Sequence, residues 1–262
     1  MHASNSCNVP AGLQPASRNL THRPGLSHVS ATALRDFLAI LEKGPSEPLC
    51  VFNPWRDHDE RDGTPRRDKP RMRRENMQAY VEARRGEARV LLLGEAPSHR
   101  GCRFTGIAFC SETELVHKPE LVARRRLALT SRDAEAKPQR ERSAAVIWSE
   151  IERAGRPFEI VLWNAFPWHP YRADDGDTSD GPCGPSSNRK PRLGEVAEGR
   201  RAFDALLRCF SRELDVFAVG KVAEDALARW GGTECTGYIR HPAQGGEKLF
   251  RSQFRSQVAA RL

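Results

Sequence analysis

The sequence predicts an α/β fold: a three-layer α/β/α sandwich around a central, mainly parallel, four-stranded sheet. Three observations predict it. Short apolar runs at residues 90–93, 159–163, 216–219 and 236–239 each stop at a turn residue or a polar loop, as buried strands do. Segments with helical apolar spacing separate them, and strands alternating with helices make a parallel sheet. The 262 residues suffice for one large domain, or for a domain with an extension.

Taken in order, residues 1–30 are rich in Ser, Pro, Asn and Gly and lack an apolar period. Leu34, Phe37, Leu38 and Leu41 then repeat at helical spacing up to Gly44-Pro45. Residues 1–45 are therefore expected to be an N-terminal extension, partly disordered, with one amphipathic helix. Residues 46–262 are expected to form the domain. A charged loop is expected over 56–74, broken by Gly63, Pro65 and Pro70, then a helix over 76–85 that ends at Gly86. Residues 118–142 carry eight basic and four acidic side chains, which fits a flap, a helix over the site or a plain surface helix. Helices are expected at 144–154, with Val146, Ile147 and Ile151 inward, and at 195–210, 222–229 and 247–260. Between them, residues 174–185 form a Gly/Asp/Ser/Pro loop.

Bulk properties narrow the function classes. Hydrophobic residues make up 39% of the chain, and no apolar run approaches the roughly 18 residues of a membrane helix. The N-terminus lacks the apolar segment of a secretory signal. These features point to a cytoplasmic protein, nucleoid-associated if bacterial, with no membrane partner. An excess of 42 Lys and Arg over 34 Asp and Glu gives a net charge of +8, which suits a polyanionic partner or an Arg-rich solvated surface. The seven cysteines have no C-x-x-C spacing, so no zinc or iron–sulfur site and no metal is expected, and the thiols are expected to be reduced.

Three strands run into chemically capable loops: Gly94 to Gly101, Asn164 to Pro170 and Arg240 to Gly246. In a parallel sheet these ends share one edge, so Glu95, Asn164 and His241 are expected to meet in a cleft. A carboxylate can position water and stabilise an oxocarbenium-like sugar. An amide can read a base edge bidentately. A phenylalanine, Phe104 or Phe109, can stack on a flat base, and a histidine can stabilise a departing anion. Each residue also has a plainer reading: Glu95 as a helix-start carboxylate, Asn164 as a turn residue, His241 as a loop histidine, Phe109 as core.

Together these motifs resemble the uracil-DNA glycosylase superfamily. Gly94-Glu95-Ala96-Pro97 is similar to its GEAPG-style first motif, and Thr105 to Phe109 to the TG-x-PF segment, with Ala108 in place of Pro. Trp163-Asn164-Ala165-Phe166 resembles the strand end with the base-reading Asn. Asn188-Arg189-Lys190-Pro191, with Glu195 after it, resembles the N-R-x-P-x-x-x-E segment. Val219 to Ala223 is similar to the strand–Gly–basic–helix junction, and Arg240 to Ala243 to the second motif.

The resemblance implies a monofunctional, cofactor-free glycosylase that flips uracil out of DNA and hydrolyses its bond to the sugar. It implies catalytic Glu95 and His241, and substrate binding by Ala96, Pro97, Ser98, Phe109 and Asn164. Arg100, Arg103, Lys221, Arg240 and Gln244 would contact DNA, with Gly220 and Lys221 suited to a phosphate. A monomer acting on DNA that holds uracil or another deaminated base is expected. The branch with GEAPG motifs often holds an iron–sulfur cluster, but its cysteine spacing is absent here. Gln244-Gly245-Gly246 offers no apolar wedge, and no His stands near Asn188, so turnover is expected rather than covalent trapping. The alternatives are a damage-binding protein of the same fold that does not cut, and a glycosylase for hypoxanthine or xanthine. A nucleotide-binding enzyme is disfavoured, since G-x-G-x-x-G and a phosphate-loop Lys are both missing.

Overall fold

The computed structural model describes residues 26–46, 49–58, 62, 68–132, 134–173 and 184–262. Of the segment expected to be loose, residues 1–25 lie outside the described residues, as does most of the 174–185 loop, while 26–30 are already helical. In chain order come α1 (Leu26–Lys43), β1 (Val51–Phe52), α2 (Lys69–Glu82), β2 (Val90–Gly94), α3 (Cys102–Thr105), α4 (Glu112–His117), α5 (Pro119–Ala123) and α6 (Arg142–Ala154). Then follow β3 (Ile160–Asn164), β4 (His169–Pro170), α7 (Leu193–Leu207), β5 (Asp215–Val219), α8 (Lys221–Trp230), β6 (Cys235–Ile239) and α9 (Glu247–Gln253).

The main sheet has the order β3-β2-β5-β6, and all its pairings are parallel. Every residue of β2 and β3 is buried, which explains their unbroken apolar runs. Val90 pairs with Ile160, and the register continues to Gly94 opposite Asn164. Helices pack on both faces. One group joins α1, α7 and α8, the other α4, α6 and α9. From β2 the chain crosses to β3 on one side, then returns past β2 to β5 on the other. That reversal opens a crevice at the strand ends, where α/β proteins bind ligands.

Several boundaries differ from expectation for physical reasons. Helix α2 begins at Lys69, inside the expected loop. Asp68 caps it by accepting the Arg71 N–H at 3.0 Å, and Pro70 occupies its first turn. Proline there starts a helix instead of breaking one. The C-terminal helix is regular only to Gln253 and continues as a π turn over Phe254–Val258. A two-strand antiparallel pair, β1 with β4, was not expected. Helix α1 packs into the domain: Leu34, Phe37 and Leu41 are buried, and the Phe37 ring sits 5.4 Å from that of Trp163.

Beyond α5, the charged stretch before α6 is a loop pinned by one carboxylate. Buried Glu112 accepts the backbone N–H of Thr130 at 2.8 Å, Ser131 at 2.9 Å and Gln139 at 3.1 Å. No described helix is long and apolar enough to cross a membrane.

Candidate active site

A cleft of about 580 Å³ opens at the C-terminal edge of the sheet. The loop after β2 contributes Glu95, Ala96, Pro97 and Ser98. The junction between β5 and α8 adds Gly220 and Lys221, and the loop after β6 adds Arg240, His241 and Gln244. Phe109 lines it too. Residues far apart in sequence thus share one cavity.

Backbone contacts fix the β2 loop from several sides. The Phe166 N–H donates to the Glu95 carbonyl at 3.0 Å, continuing the parallel pairing beyond β3. The His99 N–H donates to Asn188 Oδ1 at 2.8 Å. Buried His169 lies between the carbonyls of Pro97 and Pro185, at 3.0 and 3.3 Å. Burial lowers His169 to about 4, so the neutral ring donates to only one of them. These contacts hold Glu95 at the cleft wall, half-buried. Burial raises its carboxyl above the ordinary value, and the Lys190 charge offsets part of that.

His241 is also held neutral. Burial, with the neighbouring Arg240 charge, lowers it to about 4. Its Nδ1 accepts the Ala243 N–H at 3.1 Å, which leaves the proton on Nε2 as a donor. Gly220, at φ +88°, makes the close approach possible, since a Cβ there would lie 3.1 Å from the His241 Cβ.

Phe109 has φ +50°, unusual for a side chain without special tolerance of that region. Trp148 Nε1 donates to its carbonyl at 2.9 Å and anchors it. The Phe109 ring lies over Gly94, where a Cβ would stand 2.0 Å from its Cζ and 2.9 Å from Asn164 Oδ1. Asn164 is buried, and its Oδ1 has no hydrogen-bond partner. It sits at the buried end of β3 beside Gly94 and is not on the open wall of the cleft.

The candidate DNA contacts divide. Gln244 is exposed at the rim with φ +51°, and Arg240 lines the cleft. Lys221 is exposed but paired on its own helix with Glu224 at 2.8 Å and Asp225 at 3.1 Å. Arg100 is exposed outside the cleft and donates to the His99 ring at 3.2 Å. Arg103 is a correction: it is fully buried and cannot touch DNA. Its guanidinium lies 4.6 Å from the Phe52 ring centre and 4.5 Å from that of Phe104, an aromatic setting that accepts a cation. Phe104 is likewise buried beneath it and does not line the cleft.

Sequence reasoning missed Glu141 and Lys190, which also line the cleft. Glu141 sits in a charged run that gives it no local signal, and Lys190 stands out only within a motif. Neighbouring Arg189 is structural: it pairs with Glu195 at 2.6 Å and reaches the carbonyls of Leu49 and Cys50 at 3.3 Å. The five described cysteines are unpaired, and no three His, Cys, Asp or Glu cluster as a metal site among the described residues.

Fold and site define a parallel α/β protein with a polar cleft at its topological reversal, walled by a carboxylate, a neutral imidazole and an aromatic ring. Residues 82–256 match the model of the Uracil DNA glycosylase superfamily. The chain belongs to that superfamily, whose members are DNA glycosylases. Among solved structures, wild-type SMUG2 of Pedobacter heparinus is similar in fold, with a TM-score of 0.55 at 15% identity. The match covers 87% of this chain and 97% of that one. No curated protein matches the sequence.

Proposed function

We propose that the protein is a monofunctional glycosylase that excises uracil, or another deaminated base, from DNA and so begins base excision repair. The reading rests on family membership together with one observation: Glu95 and His241 share a cleft beside the buried, unpartnered amide oxygen of Asn164. A buried acceptor without a partner is costly. A base edge with an N–H would satisfy it, and uracil N3–H is such a donor.

In this scheme the base enters the cleft against the Phe109 ring and Asn164 reads its edge. Ala96, Pro97 and Ser98 form the wall beside it. As the bond between base and C1′ breaks, its electron pair leaves with the base. The His241 Nε2–H donates a hydrogen bond to the oxygen where that charge gathers. A water held by Glu95 forms the new bond to C1′, and its proton passes to the carboxylate. Arg100, Arg240 and Gln244 contact the flanking strand, while Lys221 and the start of α8 face a phosphate.

The test is a panel of oligonucleotides holding uracil, hypoxanthine or xanthine, single- and double-stranded, incubated with purified protein. Release of free base from the uracil substrates is the expected result. Release from another base alone would reassign the substrate. Salt-sensitive binding with no release from any substrate would make the chain a damage-binding protein instead.

A further inference from the structure

Glu141, directly before α6, brings a second carboxyl group to the cleft. Its Oε2 occupies the space a side chain on Gly101 would fill: a Cβ there would lie 1.7 Å from Oε2 and 3.1 Å from Ser98 Oγ. Glycine at 101 is therefore what admits this carboxyl group to the loop that carries Glu95. The Ser98 hydroxyl lies beside it, buried and with no hydrogen-bond partner among the described residues. The residues before Glu141 are fixed in turn by Glu112, through Gln139. A continuous set of contacts thus links α4, the charged loop and the catalytic loop.

We propose that Glu141 is a positioning residue for the reaction, its carboxyl group clamping residues 98–101 so that Glu95 faces the cleft. The proposal deepens the glycosylase reading and rests on it for its kinetic consequences, though not for the clamp itself. The surroundings favour a protonated clamp. Glu114 of α4, Cys102 of α3 and Cys110 face Glu141, and no salt bridge to it occurs among the described residues. Burial, and then the Glu114 charge, raise it to about 7, with the Ser98 hydroxyl opposing. A neutral carboxyl can donate to Ser98 as well as accept, whereas an ionised one leaves a buried charge without a cation. The clamp therefore weakens as pH climbs from the ordinary carboxylate value through about 7.

The test compares the wild type with Glu141→Gln and Glu141→Ala by two readouts. The first is hydrogen exchange of the backbone amides of residues 98–102, which needs no activity. In the wild type their protection, corrected for intrinsic exchange, should fall between about pH 5 and pH 7 and level off above that. Glu141→Gln should keep it across that range, and Glu141→Ala should lack it throughout. The second readout is base release. Glu141→Ala should lower kcat roughly 10- to 100-fold with KM changed far less, as expected for a displaced catalytic loop. Glu141→Gln should retain near-wild-type kcat at about pH 6 and lose the alkaline decline. Unchanged exchange in Glu141→Ala would overturn the clamp, whether or not the protein releases a base. Altered exchange with unchanged kcat would overturn the positioning role. Altered exchange in a protein with no activity on any base would uphold the clamp and sink the glycosylase reading alone.

Discussion

Burial acts in opposite directions on the two side chains that would do the chemistry. It raises Glu95, so the carboxylate takes up a proton at a higher pH than an ordinary one, and it lowers His241 to about 4. Across the range where Glu95 titrates above that value, His241 is the neutral donor. The acid limb of base release should therefore report Glu95, with His241 adding a further loss only near its own lower value. Rates measured against pH under single-turnover conditions check this. Glu95→Gln should remove that limb and cut the rate by about 10²- to 10⁴-fold, with DNA affinity nearly unchanged. A variant that kept both the limb and the rate would remove Glu95 from the mechanism. At this scale the site was partly legible. Glu95 and His241 stood out because each sits beside punctuation just past a strand, Glu95 after Gly94 and His241 before Pro242. Arg103 misled because its burial depends on Phe52, distant in sequence, and Glu141 escaped because nothing local marks a carboxylate in a charged run as lining a cleft.

Helix α6 begins just after Glu141 and carries Trp148, which anchors Phe109, and its Glu150 ties it to α9 and the π turn that follows. Glu150 is inaccessible to solvent, sealed under Arg251 and Arg255 at 2.7 Å each. The Arg255 hydrogen bond, then that of Arg251, holds its carboxyl below the ordinary value against the cost of burial. This stabilisation is present above the ordinary carboxylate value and fades as pH falls through the depressed one. Both arginines are partly exposed and can rehydrate when their partner is lost. Glu150→Ala should therefore destabilise the fold by only about 1–2 kcal/mol at neutral pH, and by less in acid. Urea unfolding at two pH values checks it, and equal loss at both would show that packing, not charge, carries the effect. The core elements were legible because apolar runs and Gly stops are local signals. The start of α2 was not, since Pro70 breaks a helix or begins one depending on position alone. Nor was the loop pinned by Glu112, whose partners lie 18–27 residues away.

For the whole molecule, the charge of +8 bears on affinity more than on specificity. Binding to an oligonucleotide should weaken as salt rises, with the slope set by the phosphates contacted. Arg240 forms no salt bridge among the described residues, so Arg240→Ala should reduce the slope by about one. Lys221 is already paired with Glu224 and Asp225, so Lys221→Ala should reduce it less. Anisotropy titrations over a salt series separate the two. Equal effects would mean that DNA draws Lys221 from its helix partners. The three-layer architecture was legible at this scale because alternation of elements is a property of the whole chain. The packing of α1 into the core was not, because its aromatic contact with Trp163 joins residues almost half the chain apart.

The register that sets Gly94 opposite Asn164 acts as a gauge. Neighbouring strands lie about 4.8 Å apart, a spacing fixed by backbone hydrogen bonds and not by side chains. The carboxylate one residue past Gly94 and the amide on the adjoining strand are therefore held to a distance that core substitutions cannot tune. Side chains around them are open to drift, and with them the choice of base. The separation between the group proposed to hold water and the group proposed to read the base changes only if a strand slips, which would turn its whole apolar set outward. Such a molecule can change its substrate in small steps, while the geometry of bond cleavage passes unaltered from one variant to the next.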